Sequence, residues 1–110
     1  MPHLRLDDDG QSVTLDLHGA RVAEALDLAR AAVAQAASHG RRTVRLIHGT
    51  STADRGADRT IKGALHQALD DGDFDRAVTS SFRGEGTLTL GLHPAASPAP
   101  GRLRLADLRR

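Results

Sequence analysis

A chain of 110 residues with 39% apolar and 26% charged side chains is expected to form one globular domain. Having no cysteine, it excludes disulfides, thiolate zinc sites and cysteine nucleophiles; having two phenylalanines and no tryptophan or tyrosine, it must fill its core with aliphatic side chains. The net charge of +1 is no nucleic-acid signature, so a basic patch has to be local.

Residues 3–6 alternate and make a candidate edge strand, with Asp7-Asp8-Asp9-Gly10 as the turn after it. Val13, Leu15 and Leu17 then alternate with Thr14, Asp16 and His18, the period of a half-buried strand, so Asp16 and His18 are expected on one face. Across residues 21–38, Val22, Leu26, Ala29, Val33 and Ala36 recur at steps of three and four, a helical stripe that Gly40 closes. The start lacks a Ser, Thr, Asp or Asn cap and puts Arg21 in the first turn. A cation there opposes the helix dipole at a cost of up to about 1 kcal/mol, and such violations are commoner at functional sites.

Residues 43–48 form the next strand, and the strand–helix–strand connection implies a parallel pair. A polar loop at 49–57 leads to Asp58, a candidate N-cap for a helix over 59–70 with Ile61, Ala64, Leu65, Ala68 and Leu69 inward. Strands at 76–82 and 87–92 flank the hairpin turn Arg83-Gly84-Glu85-Gly86. The acidic runs Asp7–Asp9 and Asp70–Asp75 read as turns and solubilising surface.

The chain thus divides into an N-terminal strand and turn (1–11), a domain (12–92), and a proline-rich linker with a basic tail (93–110) whose reading as packed helix or disordered segment stays open. The expected fold is an α/β two-layer sandwich: a βαβαββ mixed four-stranded sheet, two helices on one face, and an optional extra N-terminal edge strand. Thr14, Asp16, His18, Arg45, Thr79, Ser81, Thr87 and Thr89 would line the open face. No apolar run approaches the ~18 residues of a membrane span, and no signal-peptide pattern opens the chain, so the expected location is the cytoplasm, with no membrane partner.

Two strings stand out, Leu15-Asp16-Leu17-His18-Gly19 and Leu46-Ile47-His48-Gly49. Each ends a predicted strand. Parallel strands open on one rim, where ligands of open α/β sheets bind, so Asp16, His18 and His48 can converge there.

The element order and these strings resemble the small MutS-related (Smr) domain family over about residues 12–92. Its first motif, leucine-aspartate-any-histidine-glycine, is matched in full by residues 15–19. Its second, histidine or threonine before Gly-x-Gly, is matched by His48-Gly49, with Ser51 in place of the second glycine. Its late glycine-rich turn is similar to Gly84-Glu85-Gly86-Thr87. The resemblance implies a fold like the C-terminal domain of bacterial translation initiation factor 3, and binding of DNA or RNA. In some members it implies nicking or cleavage, linked to mismatch repair, recombination control or processing of RNA on stalled ribosomes. It carries cleavage onto Asp16 and His18, and substrate binding or cleavage onto His48 and Gly49. The loop after the second motif is several residues longer than the usual pattern. With Ser51, it bears on catalytic competence more than on fold.

The chemistry fits that implication. Phosphodiester cleavage needs proton transfer, which a histidine titrating near neutrality performs, and a neighbouring carboxylate orients the ring or holds a divalent metal such as Mg2+. The competing reading makes Asp16 and His18 the polar alternates of a half-exposed strand. Alternation puts His48 with Val44 and Leu46 on the core side, as a second acid/base group or as a histidine packed at the core's rim. No tight ligand spacing joins Asp16, His18 and His48, so no metal site is assigned.

The cations Arg21, Arg55, Arg59, Lys62 and Arg83, with the backbone around Gly19, Gly49 and Ser51, are the candidate nucleic-acid contacts. Arg41 and Arg42 belong to the opposite rim. Lacking Tyr and Trp, the chain is expected to grip phosphates rather than read bases, with affinity falling steeply with salt.

The leading expectation is an Smr-like nucleic-acid-binding domain with endonuclease activity on DNA or RNA. Asp16 and His18 would act at the scissile phosphate, His48 would assist, and Arg21, Arg59 and Lys62 would hold the backbone. RNA could supply its 2′-hydroxyl as nucleophile; DNA would need an activated water, best on a metal. The alternatives are a binding module without cleavage, docking on structured RNA, the ribosome or branched DNA, and a protein-interaction domain using its tail or edge strand. Oligomeric state is not legible.

Overall fold

The structure, a computed structural model, describes residues 4–49, 60–74, 76–93 and 95–109. The alternating segments become strands β1 (Arg5–Asp8), β2 (Ser12–Asp16), β3 (Thr43–Ile47), β4 (Val78–Arg83) and β5 (Thr87–Leu92). The striped segments become helices α1 (Val22–Ser38) and α2 (Ile61–Asp70). The strands make one five-stranded sheet in the order β1-β2-β3-β5-β4, parallel only between β2 and β3. This is the expected α/β sandwich, with the N-terminal segment added as an edge strand.

One face of the sheet carries the core. Val13, Leu15, Val44, Leu46, Leu88 and Leu90 are all 0% exposed. Helix α1 packs against β2, β3 and α2, and buries Ala25, Ala29, Ala32, Val33 and Ala36. Small alanines let the helix lie close to the leucine layer, and each fully buried leucine or valine contributes about 1.5–3 kcal/mol. The alternate positions on the opposite face, Thr14, Arg45, Thr87 and Thr89, are half-buried or exposed. Among the described residues no helix is long and apolar enough to cross a membrane.

Several local expectations are corrected. Asp7 and Asp8 belong to β1, and the turn falls later: Asp9 accepts the amides of Gln11 and Ser12 at 2.8 and 2.7 Å, the side-chain-to-backbone bonding that carboxylates favour in turns. Strand β2 stops at Asp16, short of His18. Arg21 is the N-cap of α1 rather than part of its first turn, with extended backbone (φ −71, ψ 151). The cap of α2 is Thr60, whose Oγ1 accepts the Gly63 amide at 2.9 Å; Asp58 lies outside the described residues. In β4 the register shifts between Val78 and Ser80, so Ser80 and Phe82, not Thr79 and Ser81, fall on the open face. Gly91 makes this possible, because a Cβ there would run into the Ser80 hydroxyl.

The C-terminal segment is part of the fold. Ala95 and Ala99 donate their amides to Ala37 and Ser38 at the end of α1, and the chain then runs to a short 3₁₀ helix, Leu105–Arg109, that packs on α1. Leu103 and Leu108 are 4% and 7% exposed. The anchor is Asp8, with Arg41 donating to both its carboxylate oxygens at 2.7 and 2.9 Å and the Leu103 amide donating at 2.7 Å. Arg41 also donates to the carbonyls of His39 and Gly101.

Candidate functional site

The two motifs meet where β2 and β3 end. The Leu17 amide donates to the Ile47 carbonyl at 2.8 Å, extending the parallel pairing one step past the strands. The chain then turns away. The Asp16 carboxylate accepts the His18 amide at 2.9 Å, and Gly19 takes φ +84, a conformation open to glycine without steric cost. Asp16 and His18 are therefore related by a side-chain-to-backbone turn, not by the pleat of one strand. The half-buried Asp16 shapes the turn; His18 and Gly19 are exposed on it.

Opposite them, His48 and Gly49 both donate their amides to the Gly86 carbonyl, at 3.0 and 3.1 Å, which ties the glycine-rich turn before β5 into the same rim. Gly49 sits at φ +82, and the imidazole of His18 lies over it. A Cβ at Gly49 would come within 2.9 Å of His18 Cδ2. This contact joins the first motif to the second.

His48 continues the inward alternation of Val44 and Leu46 and is 6% exposed. Its Nδ1 lies 2.8 Å from the Gly49 carbonyl; a carbonyl only accepts, so Nδ1 donates, and the second ring nitrogen is Nε2. That Nε2 is buried with no hydrogen-bond partner among the described residues. Against it stands His66 of α2, ring centroids 6.1 Å apart and planes at 85°, its own Nε2 likewise buried and unpartnered. Burial lowers the pKa of His66; the charge of Arg83, His48 and the charge of Lys62 lower it further, and Asp70 opposes them. Sequence reasoning missed His66. Its one trace was its place four residues from both Lys62 and Asp70, on the flank of the α2 stripe.

Arg83, at the end of β4, reaches the same rim, but its guanidinium donates to Asp70 of α2 at 2.6 Å. Lys62 stands half-buried in the first turn of α2. Arg21 is exposed at the start of α1, which has no side-chain cap. Ser51, Arg55 and Arg59 lie outside the described residues. Asp16, His18, Gly19, His48 and Gly49 are thus gathered at one rim, with Arg21 beside the first motif. Among the described residues, no three His, Asp or Glu side chains come together to hold a metal ion.

The family model for the Smr domain matches residues 15–87. The match runs from the first motif into β5 and leaves β1 and the C-terminal segment outside. The chain is also similar to the Smr domain of Thermus thermophilus MutS2, seen in a crystal structure. The two are 31% identical, with a TM-score of 0.60 over 74% of this chain and 98% of that one. No curated protein matches the chain.

Proposed function

This chain belongs to the Smr domain family, and we propose that it is a nucleic-acid-binding module that cleaves phosphodiester bonds at the rim shared by β2 and β3. The observation that carries the reading is the seating of His18 on Gly49, which makes one site of two motifs distant in sequence. His18 is the proton-transfer group, since its imidazole is the exposed one of the three motif side chains. Asp16 is a positioning residue that holds the His18 turn through the amide it accepts. His48 is a second positioning residue beneath the rim, fixing the Gly49 carbonyl. Arg21 and the uncapped amides at the start of α1 hold the phosphate backbone, where the helix dipole already favours an anion.

On RNA, the 2′-hydroxyl attacks the adjacent phosphorus and the bond to the 5′-oxygen breaks, leaving a 2′,3′-cyclic phosphate and a 5′-hydroxyl. His18 takes the 2′-hydroxyl proton or gives one to the 5′-oxygen, and solvent water exchanges the other proton. This route needs no metal ligands. A divalent metal such as Mg2+ would supply an activated water for DNA, but the described residues offer no three-ligand set for it.

A second reading, binding without cleavage, is favoured by the burial of His48 and the engagement of Asp16, which leave one exposed titratable side chain among the three. Wild type, Asp16→Ala and His18→Ala compared on single-stranded RNA, duplex DNA and branched DNA separate the two. We expect His18→Ala to lower RNA cleavage about 10²–10⁴-fold while fold and most binding persist. A 2′-deoxy substrate should resist, and a chelator should change little. If wild type cleaves nothing under any metal condition, the enzyme reading falls and the binding module stands. Equal cleavage by the variants would expose a contaminating nuclease.

A further inference from the structure

The sheet face turned away from the helices carries an aromatic side chain where an aliphatic-cored protein has least reason to expose one. Phe82 is 70% exposed on the edge strand β4. Register places it opposite Thr89, Thr89 opposite Arg45, and Arg45 opposite Thr14, so these four stand in one row across β4, β5, β3 and β2. Neighbouring strands lie about 4.8 Å apart, so Phe82 and Arg45 are separated by about 10 Å, with one short threonine between them. Arg45 is exposed and has no hydrogen bond or ion pair among the described residues, whereas Arg5 on the same face is paired with Asp7 at 3.2 Å. The Phe82 ring leans toward Gly84, whose absent side chain leaves it bare: a Cβ built there lies 3.8 Å from Phe82 Cε1. That is the direction of the rim. The next open-face row, Asp16, Ile47 and Thr87, is two residues further along the strands, about 7 Å on, where the His18 turn begins.

From this arrangement we propose that the open face binds a single-stranded nucleic-acid segment, with one base stacked on Phe82 and a neighbouring phosphate on Arg45, and feeds it to the rim. The inference rests on the nucleic-acid reading above and names its substrate class. An aromatic face beside a cation is what a flexible strand with unstacked bases can use, since every base offers a π-face. A duplex keeps its bases stacked inside and gains nothing from Phe82. This adds a stacking contact to the expectation, drawn from the absence of Tyr and Trp, that the chain grips phosphates rather than reads bases.

The test measures affinity of wild type, Phe82→Ala, Phe82→Leu, Phe82→Trp and Arg45→Ala for oligo-uridine, oligo-thymidine and a blunt DNA duplex, across a salt series. Phe82→Ala and Phe82→Leu should each weaken single-strand binding about tenfold, Phe82→Trp should retain it, and duplex binding should change less than about twofold. Arg45→Ala should weaken binding and lower the log–log salt slope by about 1. Unfolding curves check that these exposed substitutions leave the fold intact. If wild type binds the single strands and the Phe82 variants bind as well, the face inference is overturned and the nucleic-acid reading survives. Should wild type bind no oligonucleotide at all, both fall. Sedimentation that shows a dimer lost in Phe82→Ala, with binding unchanged, would instead assign the face to a second copy of the chain.

Discussion

Where β2 and β3 begin, Asp8 and Arg41 are buried and fully engaged; where they end, His48 and His66 face each other with buried ring nitrogens that no described residue satisfies. The Asp8 carboxylate is 1% exposed yet accepts from Arg41, Gly10 and Leu103, so the end of β1, the turn after it, the link from α1 to β3 and the C-terminal segment all close on one charge. The rim has no such closure. Its imidazoles pack edge to face among cations, and an unsatisfied buried polar atom costs about 1–3 kcal/mol. The contrast separates the end that holds the domain together from the end that carries the two family motifs and leaves its buried ring nitrogens unsatisfied by described residues.

The largest effect that sharpens this contrast is expected at the closed end. Arg41→Ala strands a buried carboxylate and should lower stability by about 3–5 kcal/mol in urea unfolding, with the C-terminal segment exchanging its amides faster. If the loss stays below about 1 kcal/mol, the pair is not the anchor described.

Acid should separate the ends next. Burial raises the Asp8 pKa, but the hydrogen bonds from Arg41, Leu103 and Gly10 and the Arg41 charge outweigh it and bring it down to about 2 from 3.8. A depressed carboxylate pKa stabilises above the unfolded value and is lost as pH falls through the folded one. About 2 kcal/mol should therefore disappear between roughly pH 4 and pH 2. His66 is lowered from 6.5, so its neutral form is the folded one, and a smaller loss should begin as pH drops below 6.5. Urea midpoints from pH 7.5 to 2 should show both limbs, with His66→Leu removing only the upper one. A single limb in wild type would undo the assignment of one end.

The smallest stability effect belongs to the rim. Gly49→Ala forces a side chain into φ +82 and against His18, at a cost of about 1–2 kcal/mol. Displacing the His18 ring, it should also reduce binding or cleavage more than that loss of stability explains. Unchanged function would mean that the His18–Gly49 contact is incidental.

Most elements were legible because their signals are local. The alternation of Val13, Leu15 and Leu17 and the stripe from Val22 to Ala36 each need only neighbouring residues to be read. Boundaries failed where a side chain intervened: the Asp16 carboxylate ended β2 by capturing the His18 amide, and Thr60 capped α2. The open face was misread at β4 because one extra residue at Thr79 reverses which side chains point outward, and no composition reports a bulge.

The sequence by itself determined the βαβαββ order, the aliphatic core and the placing of Leu15–Gly19 and His48-Gly49 at the ends of two parallel strands. These follow from periodicity and from the topology that a strand–helix–strand unit imposes. Tertiary structure alone decided that His66 lies against His48, that Asp8 meets Arg41 33 residues away, and that Phe82 stands in a row with Arg45. Each depends on register and packing between segments far apart in the chain, where a shift of one residue reverses every side chain it carries.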